Sequence, residues 1–70
     1  KVTASVGDLV RIKRINIGLQ TIDETYEGSE WPDQRAAIGD ILEVVHSGHD
    51  YVYVERWTLW EGDYEVVFTV

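Results

Sequence analysis

From Leu9 onward the chain alternates. Val10 and Ile12 fall on one side, and Leu9, Arg11 and Lys13 on the other, the period-two mark of a half-buried strand. The pattern returns in "DILEVVH", where Leu42 and Val44 share a face opposite Ile41, Glu43 and Val45. "YVYVERW", Tyr51 to Trp57, reads as a third strand, rich in β-branched and aromatic residues, and "YEVVFTV" as a fourth. "SGHD" predicts a hairpin turn with Gly48 at positive φ, and "EGD" predicts another turn before Tyr64. Residues 1–6 read as a frayed start. Residues 15–38 hold Gly18, Gly28 and Pro32 and keep no sustained period, so they predict a long loop with room for short paired arms. Within it, "SEWPDQRAAIG" predicts one helical turn, with Ser29 as N-cap, Pro32 in the first turn and Gly39 closing it.

One phrase occurs twice. "VGDLVRI" (6–12) returns as "IGDILEV" (38–44), both apolar, Gly, Asp, apolar, apolar, charged, apolar. Two copies are too few for a solenoid. Each Gly-Asp instead predicts a chain reversal just before a strand, glycine supplying the unusual φ and aspartate accepting turn N–H groups. One strand, a long loop and a three-stranded meander, with these paired strand openings, resembles the SH3-like and KOW-like small barrels over residues 6–70. The likeness is one of turns and alternation. It implies a single all-β domain over residues 1–70: a small SH3-like barrel of about five short antiparallel strands, with a long loop (residues 15–38) after the first strand. A small OB-type barrel is the alternative. The chain lacks the "ALYDY"-type segment and Trp-Trp pair of signalling SH3 domains, and it is acidic where KOW modules are commonly basic. The resemblance therefore leaves the partner open.

Charge narrows the choice. Six basic residues against thirteen acidic ones give a net charge of -7, unevenly spread. Residues 1–14 carry +3 (Lys1, Arg11, Lys13 and Arg14 against Asp8), whereas residues 15–70 carry -10 (Arg35 and Arg56 against twelve acids). Such a field repels phosphate backbones and attracts basic surfaces, which argues against direct nucleic-acid binding unless Arg11, Lys13 and Arg14 act as an isolated strip. Seventy residues allow one small core, and the absence of cysteine excludes disulfides, thiol nucleophiles and cysteine-based zinc sites. No apolar run is long enough to span a bilayer and no charged-then-apolar leader opens the chain, so the expectation is a soluble domain, cytoplasmic by default and monomeric in isolation.

Catalytic signatures are missing. Ser5, Ser29 and Ser47 have no nucleophile context, and carboxylate pairs are unavoidable with thirteen acids. His46 and His49 flank a predicted turn with Asp50 beside them and no further cysteine or histidine to complete a closed metal site. The chain is expected not to be an enzyme and to need no metal or cofactor. Its aromatics are more telling: Tyr51, Tyr53, Trp57, Trp60, Tyr64 and Phe68 all lie in the last twenty residues. On the 51–57 strand, Tyr51, Tyr53 and Trp57 share one face and Val52, Val54 and Arg56 the other. Either the valines are core and the aromatics form a platform, or the aromatics are the core. Trp60, beside the "EGD" turn, is expected to be partly exposed. The loop Asp23–Asp33 has five acids, no base, and both Tyr26 and Trp31. It is either a solvated loop or a surface recognising Arg and Lys through charge and cation–π contact. The candidate partner-binding residues are therefore Asp23, Glu24, Tyr26, Glu27, Glu30, Trp31, Trp57 and Trp60, with Arg35 and Arg56 structural. The leading expectation is a non-catalytic module binding a basic or proline-containing segment of a protein partner. A phage-type DNA mimic that inhibits a nucleic-acid-binding enzyme, and an accessory subunit pairing through its C-terminal strand, are the alternatives.

Overall fold

Alternation decides which side of each strand meets the core. In the computed structural model, which describes residues 3–70, Val10 and Ile12 are fully buried, while Arg11 between them is half-exposed. They belong to β1 (Leu9–Ile12). β4 (Ile41–Ser47) buries Val44 and exposes Ile41, Glu43 and Val45, and β5 (Tyr51–Val54) buries Val52 and Val54. Leu59 fills the same core from β6 (Trp57–Trp60). Burying each such side chain contributes about 1.5–3 kcal/mol. With β7 (Tyr64–Phe68), these strands form one antiparallel five-stranded sheet in the order β6-β5-β4-β1-β7. The domain is small and all-β, and no helix among the described residues is long and apolar enough to cross a membrane.

The repeated phrase has a structural consequence. Its two copies are β1 and β4, and they pair with each other antiparallel, Val10 opposite Leu42. Gly7 N–H donates to Val44 C=O (2.9 Å) and Val44 N–H to Asp8 C=O (2.9 Å); Gly39 N–H donates to Ile12 C=O (2.8 Å) and Ile12 N–H to Asp40 C=O (2.9 Å). Exchanging each residue with its counterpart 32 positions away maps one pair of bonds onto the other. The ribbon therefore has a local two-fold axis. Gly7 and Gly39 take φ of 98° and 93°, a backbone that side-chain-bearing residues rarely adopt, so both reversals require glycine. The aspartates diverge: Asp8 accepts from Ser5 N–H (2.9 Å) and Val70 N–H (3.1 Å), while Asp40 is exposed.

The long connection holds the anticipated arms and helical turn. β2 (Arg14–Ile17) and β3 (Gln20–Asp23) form a separate two-stranded hairpin, burying Ile15 and Ile22, and β2 packs toward β6. The helical turn is α1 (Pro32–Ala37), closed by Gly39 as expected, but Ser29 is not its cap. Trp31 occupies the N-cap without a side-chain bond, and Pro32, whose missing N–H costs nothing in a first turn, opens the helix.

Three other expectations are corrected. Tyr51–Trp57 is two strands: Glu55 and Arg56 make a two-residue turn, and Val54 faces Trp57 across it. Neither turn residue has positive φ, so the hairpin lacks the glycine or asparagine signature. Gly48 also has no positive φ; the Tyr51 ring lies where a Cβ would stand, 2.3 Å from its nearest atom. Finally, the described part of residues 1–6 is tied down. Ala4 is buried, its carbonyl accepts the Ser47 hydroxyl (2.6 Å), and Thr3 Oγ1 donates to His49 C=O (2.7 Å). Lys1 and Val2 lie outside the described residues.

Candidate functional site

The short helix brings Asp33 to the β5–β6 turn. Ala37 anchors α1 in the core, and Arg35 reaches back to donate to Glu24 C=O (2.9 Å), pinning the acidic loop to the helix. Asp33 and Ala36 of α1, Asp40 after it, Leu42 of β4, and Glu55, Arg56 and Trp57 then surround a cleft of about 280 Å³. Trp57 packs its inner part on the core and shows the rest to this cleft. The Arg56 guanidinium carbon lies 5.0 Å from the Trp57 ring centroid, and its Nη2 lies 3.7 Å from Asp33 Oδ2. Three carboxylates and an indole thus border one open hollow. Its charge and aromatic wall suit a cation.

A second feature lies on the outer sheet face. With Val52 and Val54 inward, Tyr51 and Tyr53 turn outward, which settles the choice of core face for the valines. Cross-strand register sets Tyr51 opposite Trp60 and Tyr53 opposite His46. Ring centroids step 5.3 Å from His46 to Tyr53, 5.2 Å to Tyr51 and 5.3 Å to Trp60. Trp60 is 51% exposed and Tyr53 42%, so this aromatic strip presents rings to solvent. It adjoins the cleft: a neighbouring hollow of about 320 Å³ is lined by Val45, Tyr53 and Thr58 together with Glu55, Arg56 and Trp57, which the two hollows share.

The candidate residues divide between places. Asp23 serves its own turn: the Thr25 hydroxyl (2.6 Å) and Thr25 N–H (2.9 Å) both donate to it. These bonds, hydroxyl first, hold its carboxyl below the usual range, with weaker help from Arg14 and Arg35. Glu24 borders a different hollow, beside Arg11 and Lys13. Tyr26 lays its ring over Gly28, Glu27 and Glu30 are exposed, and half-buried Trp31 caps α1. Trp57 and Trp60 face opposite sides of β6, one to the cleft and one to the strip. Arg35 is structural as expected, since it holds the loop. Asp33, Asp40, Glu55 and Arg56 line the cleft, and Tyr51, Tyr53 and His46 form the strip, although none is among the candidate binding residues and Arg56 is expected to be structural. No turn residue announces them: "YVYV" and "WTLW" flank "ER", which carries neither glycine nor asparagine and takes no positive φ.

Two of the basic residues near the start, Arg11 and Arg14, are paired. Arg11 Nη1 pairs with Glu65 (2.6 Å), and Arg14 Nε with buried Asp63 (3.0 Å). Compared with protein-family models, curated proteins and solved structures, the chain matches none of them.

Proposed function

We propose that this domain is a non-catalytic interaction module that binds an extended basic segment of a protein partner. The segment lies in the cleft between α1 and the β5–β6 turn and runs on toward the aromatic strip. The observation that carries this reading is the convergence of Asp33, Asp40 and Glu55 on the exposed side of Trp57. Carboxylates supply long-range attraction, and the indole supplies a surface on which a cationic side chain can rest. The shared wall of Glu55, Arg56 and Trp57 makes the two hollows one path, so an extended chain can use both. The order β6-β5-β4-β1-β7, with the long connection beside the cleft, supports the likeness to SH3-like barrels, whose equivalent loop borders the ligand groove.

The test is NMR titration of the ¹⁵N-labelled domain with a short arginine-rich peptide and its uncharged glutamine counterpart. Shifts are expected at Asp33, Asp40 and Glu55–Thr58 with the basic peptide only. Replacing Asp40 and Glu55, both exposed, with Asn and Gln should weaken binding roughly fivefold to tenfold with the fold intact. Absence of shifts, or shifts on an unrelated face, would count against the reading. If duplex DNA competes for the domain's natural partner, the DNA-mimic alternative replaces it.

A further inference from the structure

The cleft already holds a guanidinium, and it is the protein's own. We infer that the group it takes from a partner is an arginine side chain, and that Arg56 is a tethered stand-in which the partner's arginine displaces; this rests on the binding reading above. A planar guanidinium can stack on an indole while its edge faces a carboxylate, which a compact ammonium cannot do. Arg56 occupies that position, over Trp57 and toward Asp33.

The contact is loosely made. At 3.7 Å the Arg56–Asp33 pair is longer than a hydrogen bond, and the two side chains are 62% and 71% exposed. Exposed pairs of this kind contribute little, so a competitor can replace Arg56 at small cost. Arg56 also sits at the tip of a two-residue turn, where its side chain can swing into solvent without moving a strand. The cleft has negative charge to spare. Asp40 and Glu55 have no ion pair or side-chain hydrogen bond among the described residues, so one guanidinium faces three carboxylates. Arg56 thus lowers the affinity of any side chain that must take its place over Trp57, whereas an ammonium that settles on the spare carboxylates leaves it where it is.

Removing Arg56 should therefore tighten binding. Arg56→Gln also makes the domain one unit more negative, so it is compared with Lys13→Gln, which makes the same charge change at an exposed site outside the cleft. Arginine-rich and lysine-rich peptides of equal length are titrated into wild type and both variants. The Trp57 indole NMR signal reports occupancy, and thermal melts confirm folding. Expected is an affinity of Arg56→Gln for the arginine peptide about threefold to tenfold above that of Lys13→Gln, with a smaller gain for the lysine peptide, and a Trp57 signal that moves on substitution and again on binding. If wild type binds but Arg56→Gln binds no tighter than Lys13→Gln, Arg56 is an ordinary part of the surface and the inference falls while the binding reading stands. An equal gain for both peptides removes the arginine selectivity. If neither wild type nor Arg56→Gln binds either peptide, the binding reading itself fails and takes the inference with it.

Discussion

Two buried carboxylates hold loops that the backbone alone leaves open. Asp63, 4% exposed, accepts from Arg14 Nε (3.0 Å), Asn16 Nδ2 (3.0 Å) and Trp60 N–H (3.1 Å), while its backbone carbonyl accepts from Lys13 N–H (2.8 Å) and Arg14 N–H (3.2 Å). It joins the β6–β7 turn to the β2–β3 arm. Asp63→Ala strands those donors, and urea unfolding should show a loss of about 2–3 kcal/mol. A loss below a few tenths would mean that water replaces the carboxylate. Asp8 acts differently. The Ser5 N–H, then the Val70 N–H, hold its carboxyl below the usual range, against a smaller upward push from burial. Its ionised form is therefore favoured in the fold. The resulting stability is present above the unfolded carboxylate pKa of about 4 and is lost as pH falls through the lower folded value. Asp8→Asn should be less stable at neutral pH and should lose less on acidification from pH ~5 downward. Parallel acid limbs for the two proteins would show that Asp8 does not contribute to acid sensitivity.

At the scale of elements, glycines do two different jobs, and only one of them was legible. Gly7 and Gly39 turn the chain by positive φ, as the Gly-Asp phrases suggest. Gly48 gives way to a ring: a Cβ there would lie 2.3 Å from Tyr51. Gly48→Ala should therefore cost about 1–3 kcal/mol by forcing Tyr51 out of place, and almost nothing once Tyr51 is already Ala. Gly39→Ala meets no atom within 4 Å, so its cost of about 1–2 kcal/mol is purely backbone and should be the same in both backgrounds. Thermal melts of the double-mutant cycle separate the two cases; equal coupling at both positions would refute the distinction. The same division explains what else could be read. Strands with one buried face announce themselves by alternation, as in Leu9–Ile12 and Ile41–Val45. The turn at Glu55-Arg56 does not, because ordinary backbone angles leave no residue signature, and missing it placed Trp57 beside Tyr51 and Tyr53. The cleft was hidden for another reason. Asp33, Asp40 and Glu55 meet only through the packing of α1 against the β5–β6 turn, and no local pattern encodes that approach. The sequence pointed to acidic and aromatic residues of the Asp23–Asp33 loop, but Asp23 is bonded within its own turn and Glu24 borders a different hollow.

Charge at the scale of the whole molecule sets fold and binding against each other. Net -7 on seventy residues means that the folded chain repels itself, and folding concentrates that repulsion. The ion pairs do little to offset it. Among the described residues, Arg11–Glu65 and Arg56–Asp33 are exposed, while Arg14–Asp63 has a buried member. The local +3 of residues 1–14 is partly spent across the sheet on Glu65 and Asp63, and the acids left in excess include Asp33, Asp40 and Glu55 at the cleft. On the binding reading proposed above, the same surplus that strains the fold attracts the basic segment. Salt should therefore act in opposite directions on the two properties. Raising ionic strength from about 0.02 M to about 0.5 M shortens the screening length to a few ångströms, relieving self-repulsion while weakening long-range attraction. The melting temperature should rise by about 2–5 °C, since a fraction of a kcal/mol moves a domain of this size by that much. Affinity for an arginine-rich peptide should fall about tenfold over the same range, read by calorimetry. Stability that falls with salt would show that the ion pairs outweigh the repulsion. Affinity that holds as salt rises would shift the main attraction from the carboxylates to the rings of Trp57, Tyr53 and Trp60.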